Sequence, residues 1–256
     1  MSQLKEGPLF PIIDNQYKME ETPTIRVGVV LSEDHRQNVS VSVPDSNSVN
    51  TSFKVLVDGD ETAEIEKSSE ISFKIDDNRI QIKSGIAELE GKKGEIIHIV
   101  PVSDDIPKKP RMGIQLKDVV AGRGFHWAKE IDQYLPGTLE IRPSNDYHKI
   151  LVINELSVED YLIGVITSEM SAECPIAYMK AQAVAARSWL LAQPESPYPK
   201  EPFDVCNDDQ CQRYQGSEGW TEESIKVIEE CYGEVLITQD DQYCDARYSK
   251  STGGIS

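Results

Sequence analysis

The chain has 256 residues, enough for one large domain or two small ones, and 39% of them are hydrophobic, which excludes a disordered chain. The formal net charge of −18 argues against a nucleic-acid partner, because nucleic-acid backbones are bound by basic patches. Residues 151–256 carry 19 acidic and 7 basic side chains, most of which we expect to lie on a solvated surface. The sequence contains no apolar run of about 18 residues, so no transmembrane segment is predicted.

Residues 1–23 are polar and contain proline, and they are predicted to form an N-terminal tail. Apolar and polar residues then alternate in short segments bounded by Asp, Asn, Gly or Pro, which is the pattern of β-strands. These segments are 24–31, 39–43, 52–57, 70–75, 78–83, 94–101 and 138–141. A Pro-containing connector covers residues 104–110. The sequence therefore predicts a β-rich region over residues 24–150.

After about residue 150 the apolar spacing becomes helical. Ser157 and Asp160 are spaced as an N-terminal capping pair, and Pro175 suits the first turn of a second helix. A third helix is predicted from Thr221 to near Gly233, followed by a hairpin around residues 240–241. The helical faces expected to be buried contain Tyr161, Leu162, Val165, Ile166, Ile176, Met179, Ala183, Ala186 and Leu190. The predicted fold class is α+β, a β-rich N-terminal region followed by a helical and hairpin core of catalytic type over residues 151–256.

Glu169 stands at the end of the first predicted helix and before the second. A carboxylate between two packed helices tends to be partly desolvated, and desolvation favours the protonated form that a general acid needs. A single glutamate is nevertheless far more often a solvated surface residue. Arg187 lies on the second helix, where it could reach Glu169 or cover apolar surface with its stem.

All five cysteines follow residue 170, and two of them, Cys206 and Cys211, are separated by four residues. Two thiolates can supply half of a zinc site, but no histidine lies nearby in the sequence. A disulfide and free thiols are the other two possibilities. Farther along, Gly253 and Gly254 close a polar segment that could approach a ligand.

Four blocks, in this order, resemble the SpoIID/LytB family: residues 154–170, 180–187, 204–216 and 246–254. The clear resemblance covers residues 151–256. It implies an exported protein of the cell envelope that acts on peptidoglycan, although residues 1–10 contain no apolar signal segment. Members similar to SpoIID are lytic transglycosylases, which cleave between N-acetylmuramic acid and N-acetylglucosamine in strands stripped of stem peptides. Other members are known as modifiers of a wall amidase.

By this resemblance, Glu169 occupies the position of the catalytic acid and Arg187 that of the functional arginine. Cys206 and Cys211 match cysteines that hold zinc in some members, although the implied reaction requires no cofactor. The residues that the resemblance assigns to substrate binding are Tyr161, Gln182, Tyr214, Tyr248, Ser249, Ser251, Gly253 and Gly254.

The sequence departs from the family at two positions. Gln210 and Ser249 stand where the family commonly has histidine, and glutamine is a poor zinc ligand. The given sequence also ends where the family's domain usually continues, so the resemblance predicts a core truncated at its C-terminus.

One carboxyl group suffices for the implied reaction, in which Glu169 first acts as acid and then as base toward the muramyl C6 hydroxyl, giving a 1,6-anhydro product. The lost histidines favour a second hypothesis, a non-catalytic module that binds peptidoglycan or enhances a cell-wall amidase. A third is a structural β-plus-α domain without glycan binding. The expected partners are peptidoglycan glycan strands and, for an enhancer, an amidase.

Overall fold

The computed structural model describes residues 19, 21–44, 52–103, 108–193 and 197–249. Two sheets form the β-rich part. The first has seven strands in the spatial order β13 (Val205–Cys206), β1 (Thr24–Val30), β12 (Ile150–Ser157), β11 (Thr138–Pro143), β8 (Ile97–Pro101), β3 (Phe53–Val57) and β4 (Asp60–Ile65). The second has six, in the order β10 (Lys129–Leu135), β9 (Ile114–Ala121), β2 (Asn38–Ser42), β5 (Glu70–Asp76), β6 (Arg79–Ser84) and β7 (Lys93–Gly94).

Strand β1 lies between β12 and β13 and so links the N-terminal part of the sheet to the later part of the chain. It pairs antiparallel with β12, with Val27 opposite Asn154, and parallel with β13, with Val27 opposite Val205. One hydrophobic core contains side chains from both sheets and from the helices. The division of the chain into segments 1–23, 24–150 and 151–256 stays a prediction.

Among the described residues, three α-helices follow β12: α1 (Val158–Glu169), α2 (Ile176–Leu191) and, after the short strand β13, α3 (Glu222–Glu230). Ser157 caps α1 by accepting a hydrogen bond from the backbone N–H of Asp160, as the spacing predicted. Thr221 caps α3 in the same way. The α+β fold class is therefore confirmed: a β-rich N-terminal region precedes a helical part.

Some predictions about these elements were wrong. Residues 150–157 are not helical but form β12, which is buried on both faces and so lacks the alternation of a half-exposed strand. The predicted strand 94–101 begins only at Ile97, because the N–H groups of Glu95 and Ile96 bond to the side chain of Asp58. Ile176 is 51% exposed, because the first turn of α2 extends beyond the core. Pro175 is the N-cap of α2 and lies before its first turn.

The predicted hairpin around residues 240–241 is present, but as a tight turn. The N–H of Thr238 bonds to the carbonyl of Gln242, and the N–H of Cys244 to that of Leu236. A single antiparallel bridge joins Ile237 to Tyr243.

Helix α1 is the central helix, buried nearly all round from Val158 to Ile166. Its one glycine lets a neighbouring ring approach closely: a Cβ on Gly164 would lie 2.5 Å from the ring of Tyr214. The last residues of α1, from Thr167 onward, are half-buried. The helix thus brings its C-terminal end from the core to the surface.

A cluster of charged side chains crosses the first sheet. Glu140 on β11 is nearly buried and contacts Arg26 at 2.9 Å, His98 at 3.3 Å and Arg142 at 3.2 Å. Burial alone raises the pKa of this carboxyl, but the hydrogen bonds from His98 and Arg26 outweigh it and lower the pKa to about 2. The ionised carboxylate therefore stabilises the fold.

We predict that Glu140→Gln lowers the free energy of unfolding by about 1–3 kcal/mol at neutral pH, because the arginines lose their partner. A depressed pKa contributes stability above the unfolded value near 4.5 and loses it as the pH falls toward 2. Urea titrations between about pH 7 and pH 3 should therefore show the difference from wild type shrinking. A difference that stays constant with pH would contradict this explanation. The control is Glu61→Gln, which removes an exposed pair with Lys54 and should change the free energy of unfolding little.

We also predict that Gly164→Ala destabilises the protein by about 1–3 kcal/mol, because the added methyl group overpacks against Tyr214. Helix propensity alone would give the opposite sign, a gain of about 1 kcal/mol. Gly85→Ala is the matched control, since nothing lies within 4 Å of its added Cβ. Equal effects of the two substitutions in urea denaturation would refute the close approach.

Candidate active site

A cavity of about 600 Å³ opens beside the C-terminal end of α1. Its walls come from α1, α2, the loop after β13 and the segment after the hairpin. The lining residues are Glu169, Met170, Tyr178, Gln182, Trp189, Gln193, Asp209, Gln210, Cys211, Gln212, Arg247, Tyr248 and Ser249. The cavity combines two carboxylates with amides and aromatic rings, a composition suited to a polar organic ligand.

Glu169, the last residue of α1, is half-buried at this cavity. Its Oε1 accepts a hydrogen bond of 2.9 Å from the backbone N–H of Arg213. One residue earlier, the hydroxyl of Ser168 accepts the N–H of Gln215 at 3.1 Å. These two bonds fix residues 213–215 along the helix end, so the backbone orients the carboxyl group.

Arg187 does not contact Glu169. Its guanidinium is fully buried and donates to both carboxylate oxygens of Glu159, with 2.9 Å from Nε to Oε1, and to the carbonyl of Glu234 at 2.8 Å. The buried charge is thereby paired. Arg187 joins α2 to α1 and to the segment after α3, so its position suits holding the helix that carries Glu169.

Tyr161 and Tyr214 lie in the core and not at the cavity. The two rings are 5.2 Å apart and fully buried. Tyr161 donates to Gln212, and Tyr214 donates to Asn154 on β12. Burial raises the pKa of both phenols, so they remain hydrogen-bond donors at neutral pH.

Gln182, Tyr248 and Ser249 do line the cavity together with Glu169. The Nε2 of Gln182 and the hydroxyl of Tyr248 are buried, and within the described part of the chain neither forms a hydrogen bond of normal geometry, although Gln182 and Gln212 lie close to the Tyr248 hydroxyl. Burial, and then the charge of Glu169, raises the pKa of Tyr248. Such unsatisfied groups are costly unless a ligand or water completes them. The predicted residues Ser251, Gly253 and Gly254 lie outside the described residues.

Cys206 and Cys211 are neighbours, and all five cysteines are free thiols. The backbone N–H of Cys206 points to the sulfur of Cys211 at 3.5 Å, and the Cys206 thiol donates to the carbonyl of Asp208. The hydrogen bond from Cys211 lowers the pKa of Cys206 and raises that of Cys211 in turn. Of the two, Cys211 lines the cavity, and Cys206 is buried behind it.

Zinc would need further ligands beside these two thiols. Gln210 and Ser249 line the same cavity as Cys211. The two positions at which this sequence lacks the family's histidines therefore lie in one cavity. Among the described residues, no group of three or more His, Cys, Asp or Glu side chains is arranged to hold a metal ion. The two thiols supply only half of the ligands of a four-ligand zinc site, and zinc binding stays a prediction.

The loop after β13 is held by a carboxylate that the sequence analysis missed. Asp208 accepts the backbone N–H groups of Gly122 and Arg123 at 3.1 and 2.6 Å. The buried guanidinium of Arg123 bonds in turn to both oxygens of Asp34 and to Asn207. Asp208 is buried and Asp209 is exposed. The sequence could not distinguish them, because both are aspartates in one predicted loop.

These observations define an α+β protein with a helix-terminal carboxylate in an open polar cavity. Comparison with known proteins agrees with the sequence resemblance: residues 146–237 match the profile of the SpoIID family, described as Stage II sporulation protein. The matched segment is similar to that family and includes Glu169, Arg187, Cys206 and Cys211. This similarity supports a role connected with the cell wall.

A relative occurs in Brachyspira hyodysenteriae, where it is named only as an uncharacterized protein. The two sequences are 44% identical over 82 residues, which is 32% of this chain and 22% of the relative. The match thus spans about a fifth of the relative's length. Within the described ranges, the protein contains no helix of the length and apolarity needed to cross a membrane.

We predict that Glu159→Gln or Arg187→Met alone destabilises the protein by about 3–5 kcal/mol, since each leaves a buried group without its partner. The double variant Glu159→Leu/Arg187→Met should recover much of that loss in urea denaturation. Lys180→Met, which breaks an exposed pair with Glu230, should have little effect. An Arg187→Met protein as stable as wild type would show that Arg187 is not needed to hold α1.

Proposed function

We propose that this protein is a lytic transglycosylase that cleaves the bond between N-acetylmuramic acid and N-acetylglucosamine in peptidoglycan strands stripped of stem peptides. The observation that carries the proposal is the placement of Glu169. One of its oxygens is held by the N–H of Arg213, and its side chain lines a cavity large enough for sugar rings. The SpoIID match supports the substrate class.

Glu169 would act twice on one bound strand. As an acid, it donates its proton to the glycosidic oxygen while the bond from that oxygen to muramyl C1 breaks. The resulting carboxylate then removes the proton of the muramyl C6 hydroxyl, whose oxygen bonds to C1. The products are a 1,6-anhydromuramyl end and a free N-acetylglucosamine hydroxyl, and Glu169 is protonated again.

The polar groups around Glu169 would orient the sugar. The amide of Gln182 and the hydroxyl of Tyr248 line the cavity and can hydrogen-bond to sugar hydroxyl and acetamido groups. Arg187 would act only through the position of α1, as its pair with Glu159 indicates. No step of this reaction uses a metal ion.

A second reaction is favoured by one observation: Asp209 lines the same cavity as Glu169. Two carboxylates that flank a glycosidic bond can hydrolyse it with a water molecule. A hydrolase would release reducing muramic acid ends in place of anhydro ends. The products therefore distinguish the two reactions.

A non-catalytic role remains the main rival. The histidines replaced by Gln210 and Ser249 favour a module that binds glycan or enhances a cell-wall amidase. Either role places the protein outside the cytoplasm, in the cell envelope, which we propose on the strength of the family match.

We predict that the purified protein converts stripped glycan strands into fragments with 1,6-anhydromuramyl ends, which mass spectrometry identifies as one water lighter than hydrolytic fragments. Glu169→Gln should lower kcat by about 100-fold or more, because the proton donor is lost. The matched control is Glu173→Gln, an exposed glutamate four residues later that does not line the cavity.

Reducing ends from wild type, abolished by Asp209→Asn, would identify a hydrolase instead. Glycan binding without any cleavage, retained in Glu169→Gln, would favour the non-catalytic module. Absence of glycan binding by wild type would refute both glycan-directed functions.

A further inference from the structure

An aromatic turn lies next to the cavity but outside the family match. The turn between β9 and β10 carries Phe125 and Trp127, whose rings are nearly parallel at 15° with centroids 5.4 Å apart. Phe125 is 47% exposed, an unusual position for a large aromatic ring. Nothing in the resemblance or in residues 146–237 accounts for this pair.

Arg213 connects the aromatic turn to the candidate acid. Its guanidinium carbon lies 4.9 Å from the ring centroid of Trp127, within the range of a cation–π contact. Its backbone N–H holds Glu169 at 2.9 Å. The aromatic pair is therefore separated from the proposed reaction centre by a single residue.

In the described part of the chain the guanidinium of Arg213 forms no ion pair, and its Nε is buried without a hydrogen-bond partner. By contrast, Arg247 at the cavity bonds to Asp245. In a chain of net charge −18, an unpaired cation beside the acid points to an anionic ligand.

The turn is also fixed relative to the cavity wall. Asp208 binds the backbone of Gly122 and Arg123 at the start of the turn. The next residue, Asp209, lines the cavity. A ligand that lies on the aromatic pair and in the cavity thus meets one preorganised surface.

We propose that Phe125, Trp127 and Arg213 form a further sugar subsite that binds an N-acetylmuramic acid residue of the strand, with the sugar on the aromatic pair and its lactyl carboxylate on the Arg213 guanidinium. The C–H face of a sugar ring suits the electron-rich face of an aromatic ring. Arginine binds a carboxylate through paired N–H donors. The inference rests on the proposed function for the identity of the glycan.

Two probes separate charge recognition from stacking: stripped glycan strands, and the same strands with the lactyl carboxylates converted to neutral amides. Binding is measured by calorimetry with the Glu169→Gln protein, so that the strands stay intact. Arg213→Gln in this background should weaken binding of the charged strands about tenfold, the size of a lost charge-assisted hydrogen bond. Its binding of the amidated strands should be unchanged.

Phe125→Ala should weaken binding of both probes by a similar factor, roughly fivefold, because stacking does not depend on the lactyl charge. Two matched controls should leave both affinities unchanged. Arg111→Gln removes another arginine that contacts an aromatic ring, that of Tyr134, but that is already paired with a carboxylate, Glu218. Tyr147→Asn removes an aromatic ring that is 52% exposed elsewhere, and asparagine tolerates its positive φ of 58°.

The subsite would be overturned if Arg213→Gln weakened the binding of both probes equally, or if Phe125→Ala weakened the binding of neither. The proposed function would stand in either case. If wild-type protein binds strands without cutting them, the catalytic proposal fails, and the probe pattern still decides the subsite. If the parent protein binds neither probe, both ideas fail.

Discussion

The buried carboxylate of Asp208 is the interaction on which the geometry of the site depends. It accepts the N–H groups of Gly122 and Arg123 from the second sheet, although Asp208 itself follows a strand of the first sheet. The Arg123 guanidinium pairs with Asp34 at 2.7 Å and approaches Asp208 at 3.5 Å, so both buried carboxylates have a cationic partner. This contact places the cavity loop and the aromatic turn side by side.

The residues that resemble the family divide into those that build the core and those that face the cavity. Arg187 and Tyr214 are fully buried and fix α1, through Glu159 and through ring packing. Glu169 is the last residue of α1, where the helix leaves the core. The buried part of the helix therefore fixes the position of this half-exposed carboxyl group. A catalytic acid needs such support, because small errors in its position cost large factors in rate.

The sequence predicted what local patterns encode. Alternation located β1 and β5, and the spacing of Ser157 and Asp160 located the start of α1. Strand β12 was missed because a strand covered on both faces shows no alternation. At the site, Glu169 and Gln182 could be named from resemblance, but the partner of Arg187 could not, since Glu159 lies 28 residues away and only the fold brings them together. The Asp208 contact was hidden for the same reason.

The central claim is that a glycan strand lies across the cavity with its scissile bond at Glu169. A crystal structure of the Glu169→Gln protein with a muramic-acid-containing oligosaccharide tests this most directly. We expect a glycosidic oxygen within about 3 Å of the Gln side chain at position 169, and a lactyl carboxylate on Arg213. An oligosaccharide bound away from residue 169, with the cavity filled only by water, would contradict the account.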